Sequence, residues 1–238
     1  MNMEFERRFI QALTSLTKDE IDQLSMPFFT STPEGFRRDL PVYLYVGQET
    51  FGWGAAQGYL DSPDRTAGAR ADYVGFALAA GSPGYAPLTH TPFWLMHRKL
   101  ARTLGIPHQN LIWTNLVRFD GYRRKSRTGS LVTHAFPSLG RLLEAQKGML
   151  EREIVDFNVR GVIFVTGPNY DGVLKDQLAV ADMQPMHPEI EERALARIHL
   201  TDFPNLPAVR TYHPSYLRRR KLEDAFFPLL VDGLTPAA

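Results

Sequence analysis

Four short apolar runs recur along the chain: "VYLYV" at 42–46, "LIWT" at 111–114, "GVIFV" at 161–165 and "PAVRT" at 207–211. Each is brief, rich in β-branched or aromatic residues and followed by polar or turn residues, a pattern that predicts a strand. The apolarity is nearly continuous rather than alternating, as expected of strands buried on both faces of a parallel sheet. Between the runs the period lengthens to that of helices. Residues 4–24 read as helix-rich, within an N-terminal helical arm at about 1–38. "ARADYVGFALAA" predicts a short helix ending near Gly81, after a polar, loop-like stretch at 61–70. "TPFWLMHRKLARTLG" predicts a helix with Thr91 as N-cap, Pro92 at its first position and Gly105 as its stop. A long amphipathic helix is expected over 138–157, another helix in "EIEERALARIHL", and a closing helix in "RRRKLEDAFFPLLVDGL". Strands alternating with helices predict an α/β fold, a mostly parallel sheet with helices on both faces. The strand order does not follow from the pattern.

The 238 residues, 44% hydrophobic, support a single domain spanning 1–238. A net charge of +1 gives no global attraction to a polyanion, so any such attraction must be local. The absence of cysteine excludes disulfides, thiolate zinc sites, a cysteine nucleophile and cysteine-ligated iron–sulfur clusters. The start, "MNMEFERRFI", lacks a secretory apolar core, and no apolar run is long enough to span a membrane. A soluble, cytoplasmic protein is expected, as a monomer.

Each strand signal leads into an unusual polar segment, and in an open parallel sheet these ends share the edge where ligands bind. The first leads into Gly47-Gln48-Glu49-Thr50, the second into Thr114-Asn115, the third into Thr166-Gly167-Pro168-Asn169 and the fourth into His213-Pro214-Ser215. Glu49 is a candidate general base or charged ligand contact, or else a capping carboxylate. Gly47 offers close backbone approach to a ligand, or a simple turn. Asn115 and Asn169 carry a donor and an acceptor able to read a planar, amide-like edge, or to close a turn. His213, held extended by the following proline, is placed to donate to an oxygen gaining charge. Ser215 suits either a phosphate contact or a helix cap. Phe51, Trp53 and Tyr59 offer faces for stacking on a planar ring. Two basic clusters flank these ends. Arg118, Arg123, Arg124 and Lys125 follow Asn115, and Arg218 and Arg219 follow His213. They suit phosphate contacts, or solubility.

Together, "VGQETFGWG" at 46–54, "WTNL" at 113–116, "VIFVTGPN" at 162–169 and "YHPSYL" at 212–217 resemble the uracil-DNA glycosylase superfamily, in an atypical branch with a GQETFGW first motif. The resemblance spans roughly residues 40–230 and implies a three-layer α/β/α sandwich around a four-stranded parallel sheet of order 2-1-3-4. It implies hydrolysis of the N-glycosidic bond of a damaged or deaminated base in DNA. By resemblance, Gln48 belongs to the first motif, Glu49 orients water, Asn115 reads the base, His213 stabilises the departing base, and Phe51 or Trp53 stacks on it. The segment from Ser215 to Arg218 would press on the minor groove. Thr50 and Phe51 stand where proline is usual soon after the acidic position. No metal or other cofactor is implied, and DNA is the expected partner. Two further classes fit the same residues: a nucleic-acid or nucleotide-binding protein without glycosylase activity, and a hydrolase of free nucleosides or nucleotides. A serine esterase does not fit, because no G-x-S-x-G elbow follows a strand.

Overall fold

The four apolar runs lie side by side and run in one direction. The computed structural model describes residues 3–50, 53–79, 90–121 and 130–234. Its strands are β1 (Tyr43–Glu49), β2 (Leu111–Val117), β3 (Gly161–Phe164), β4 (Val180–Pro185), β5 (Leu195–Leu200) and β6 (Ala208–Thr211). They form one six-stranded sheet of order β2-β1-β3-β6-β5-β4. The pairs β1–β2, β1–β3 and β3–β6 are parallel, whereas β5–β6 and β4–β5 are antiparallel.

This corrects the four-stranded, all-parallel sheet of order 2-1-3-4. The sheet is mixed, and its extra strands come from residues 180–185, to which the pattern assigned no element, and from residues expected to be a helix. "LARIHL" holds the helix formers Leu, Ala and Arg, but it also alternates. Ala196, Ile198 and Leu200 are buried while Arg197 and His199 are partly exposed. Pairing with β6, in register Leu195↔Thr211 through Ile198↔Ala208, decides in favour of the strand. The mixed sheet also removes the structural basis for assigning the chain to the uracil-DNA glycosylase superfamily.

Side chains on the two faces of the sheet enter separate cores, as the two-residue period of a strand requires. On one face Val42, Leu44 and Val46 pack with Ile112, Val162 and Phe164. They are covered by Leu150 and Ile154 of a helix at Met149–Asp156. On the other face Tyr45, Ile163 and Val209 pack against two helices. One, at Pro92–Thr103, contributes Met96 and Leu100. The other, at Glu223–Asp232, contributes Phe226, Phe227 and Leu230.

In chain order the helices used below are α1 (Met3–Thr14), α2 (Lys18–Ile21), α3 (Ala56–Asp61), α4 (Arg65–Ala79), α5 (Pro92–Thr103), α6 (Leu139–Gln146), α7 (Met149–Asp156), α8 (Asp171–Gln177), α9 (Pro214–Arg219) and α10 (Glu223–Asp232). The expected long helix at 138–157 is two helices, because Gly148 between them has φ +89°. Helix α4 begins inside the stretch expected to be a loop, and its expected stop, Gly81, lies outside the described residues. A third apolar cluster joins Phe5, Phe9 and Leu13 of α1 to Leu142 and Ala145 of α6. Among the described residues no helix is long and apolar enough to cross a membrane.

Candidate functional site

Strands β1 and β2 run further than their apolar cores suggested, so Gly47, Gln48, Glu49 and Asn115 are strand residues rather than loop residues. Gly47 lies opposite Asn115 in the ladder. A Cβ on Gly47 would stand 2.5 Å from Asn115 Oδ1 and 3.2 Å from the Phe93 ring. Any side chain at position 47 would therefore push Asn115 out of its place. The first crossover leaves β1 toward β2 and the later ones proceed to the other side through β3 and β6. The carboxyl ends of β1 and β3 thus flank the crevice where such sheets bind ligands. Gln48 bridges that crevice, donating from Nε2 to the Thr166 carbonyl at 2.7 Å.

Asn115 is 2% exposed, and its Nδ2 is buried with no hydrogen-bond partner among the described residues. Buried amides are normally satisfied, and an unmade bond costs about 1–3 kcal/mol. Next to it, Phe93 at the start of α5 stacks on His213, with ring centroids 5.9 Å apart and planes 20° apart. The position of Phe93 is set from both neighbouring strands. Tyr45 donates to the Phe93 carbonyl at 3.2 Å, and the His97 ring nitrogen Nε2 meets the Leu111 carbonyl at 2.7 Å. Behind Phe93, rings continue through Trp94 and Trp113 to Trp53, Phe28 and Tyr73. Trp53 packs edge-on within this group, and Tyr59 is buried and stacked on Phe29.

His213 caps α9: its Nδ1 accepts from the Ser215 backbone N–H at 3.2 Å. Burial pushes its pKa down to about 4. The ring is thus neutral at pH 7 with its proton on Nε2, which is left to donate. His97 is likewise lowered to about 4, chiefly by burial. In an unfolded chain both would titrate near 6.5. Between that value and about 4 the unfolded state binds more protons, so stability is complete above pH 6.5 and falls as the pH drops through this window. The melting temperature is expected to decline steadily from pH 6.5 to 4, and His213→Gln to flatten part of that decline. A melting temperature constant over this range would overturn the assignment.

Glu49 is held by four donors: Ser130 Oγ at 2.6 Å, Tyr170 Oη at 2.7 Å, and the backbone N–H groups of Leu131 at 2.8 Å and Val132 at 3.1 Å. Three of them converge on Oε1 and only the Leu131 N–H reaches Oε2, so the second oxygen keeps acceptor capacity. Burial, followed by the Glu49 charge, drives the Tyr170 pKa upward, so the phenol remains a donor. Thr50 is buried and donates to Asp120 Oδ1 at 3.1 Å, next to the Ser25 hydroxyl.

The remaining candidates are scattered. Asn169 is exposed on a turn at Pro168–Tyr170, and Ser215, Arg218 and Arg219 are exposed on α9. The Arg219 guanidinium lies 5.6 Å from the Tyr216 ring centroid. Arg118 is not at the rim: it is 1% exposed and ion-paired to Glu153 at 2.8 Å. Phe51, Arg123, Arg124 and Lys125 lie outside the described residues. Sequence reading missed Phe93, Ser130 and Tyr170. The Pro-Phe-Trp start of α5 was the one available sign, since two large rings in a first helical turn sit near a strand end.

The sequence matches no known family model, and no curated protein matches it significantly. With the six-stranded mixed sheet, this overturns the expected glycosylase, base-excision and hydrolase assignments, which rested on short motifs.

Proposed function

We propose that this edge of the sheet binds nucleic acid by admitting one planar base beside Asn115, without cleaving it. The observation that carries the reading is the buried, unpartnered Asn115 Nδ2, set against the Phe93 ring and the neutral His213. An amide presents a donor and an acceptor in one plane and complements the edge of a base. A ring face adds stacking worth ~1–3 kcal/mol per base. The exposed Arg218 and Arg219 support phosphate contacts, which would be independent of sequence and sensitive to salt.

The test is quenching of tryptophan fluorescence on titration with short single-stranded oligonucleotides at several salt concentrations. Asn115→Ala is expected to weaken binding by roughly 10- to 100-fold, equivalent to one bidentate base contact. Arg218→Gln with Arg219→Gln is expected to weaken all sequences alike and flatten the salt slope. Absence of binding at low salt, or an Asn115→Ala protein that binds as well as wild type, would overturn the reading.

A further inference from the structure

Beside the starts of β1 and β3, at the edge opposite Asn115, lies a cavity of about 690 Å3. Val42 and Arg160, the residues just before these strands, line it and are tied together, the Arg160 N–H donating to the Val42 carbonyl at 2.7 Å. The volume lies in the range of small-molecule sites, typically ~300–1,000 Å3.

The charges around this cavity do not balance locally. Its carboxylates are each matched by an arginine outside the lining: Asp39 by Arg37 at 2.6 Å, Asp156 by Arg152 at 2.8 Å and Glu153 by Arg118 at 2.8 Å. Three lining arginines, Arg38, Arg70 and Arg160, have no ionic partner among the described residues. Arg38 and Arg160 are exposed to solvent. Arg70, on α4, is different. Its Nε and Nη2 are both buried and neither has a hydrogen-bond partner among the described residues. Buried guanidinium N–H groups without an acceptor are costly. These two nitrogens lie along one side of the guanidinium, the side that grips two oxygens of a phosphate or carboxylate in parallel. The hydroxyl of Thr30 donates to Glu153 Oε1 at 2.5 Å and makes no bond to either Arg70 nitrogen. Phe36 and Phe157, which also line the cavity, pack edge to face, centroids 6.2 Å apart, and offer an apolar surface.

We propose that this cavity is a second binding site, for a small phosphate-bearing organic molecule, with Arg70 as its anchor and Arg38 and Arg160 as flanking charges. Three uncompensated cations favour a dianionic phosphoryl group over a single carboxylate. The ring pair favours a ligand with an apolar or planar body. This site is independent of the base-binding edge.

The experiment is calorimetric titration of the full chain, in phosphate-free buffer, with inorganic phosphate, benzoate and phenyl phosphate. Phenyl phosphate is expected to bind most tightly. Arg70→Gln is expected to weaken it at least tenfold, Arg70→Lys to weaken it less, and Asn115→Ala to leave it unchanged. Melting curves separate binding from folding. Without ligand, Arg70→Gln should melt at or above the wild-type temperature, and phenyl phosphate should raise the wild-type value only. No saturable binding, equal binding by Arg70→Gln, or a loss confined to Asn115→Ala would each overturn the proposal. Competition by a single-stranded oligonucleotide that Asn115→Ala does not abolish would also overturn it, by making the cavity a nucleic-acid backbone contact.

Discussion

Replacing Glu153 with alanine is expected to destabilise the fold by about 3–5 kcal/mol, the usual consequence of leaving one partner of a buried ion pair behind. Glu153 and Arg118 are each 1% exposed, and their contact is 2.8 Å. Both carboxylate oxygens are in use. Oε1 accepts from Thr30, and Oε2 accepts from Thr114 at 3.0 Å as well as from Arg118. Without the carboxylate, the Arg118 guanidinium would keep the Thr114 hydroxyl and the Phe28 ring, centroid 6.0 Å away, neither of which offsets a full charge. A loss of this size is a large fraction of the ~5–15 kcal/mol that holds a typical domain together. Urea unfolding of Glu153→Ala, Arg118→Met and Glu153→Met with Arg118→Met provides the check. The double variant should recover much of the single-variant loss, since an apolar pair carries no desolvated charge. If Glu153→Ala costs less than about 1 kcal/mol, the pair behaves as a solvated one, and the interior described for Arg118 is wrong.

The same residues show where the sequence was legible. Parallel strands sheathed on both faces leave nearly unbroken apolar runs, so β1, β2, β3 and β6 could be found, and so could the polar residues at their ends. The hairpin of β4 and β5 could not. Strand β4 is largely exposed, with a polar pattern that matches no buried strand, and β5 owes its conformation to pairing with β6. Arg118 reads as part of a basic surface cluster because its partner, Glu153, is 35 residues away on a helix. Phe93 reads as the apolar face of α5. Only the packing of that helix against β1 places its ring between Gly47 and His213. Residue types at strand ends were visible, whereas the groups that satisfy or orient them were not.

Glu49 illustrates the difference, and its substitution carries the second large effect. Glu49→Gln is expected to destabilise the protein by about 3 kcal/mol, the upper range for a hydrogen bond to a charged group. It is also expected to loosen residues 130–133. The carboxylate at the end of β1 gathers donors from Ser130, Leu131 and Val132, 81 to 83 residues away, and from Tyr170, 121 residues away. It offers acceptors on both oxygens, as only an ionised carboxylate does. A glutamine amide would turn an N–H toward at least one of these donors and leave it unsatisfied in a partly buried site. Ser130 is itself a hub, its hydroxyl also accepting from the Thr133 N–H at 3.0 Å. The loop and the strand end should therefore loosen together. Hydrogen exchange would show this as lost protection at the amides of Leu131 and Val132, with β3 and β6 unchanged. Tyr170→Phe removes one donor and should reproduce a smaller part of the effect. Should Glu49→Gln keep wild-type stability and protection while abolishing ligand binding, the carboxylate acts on the ligand and its hold on the 130–133 segment is secondary. If stability and protection fall and affinity drops only in proportion, Glu49 works by fixing the wall of the site.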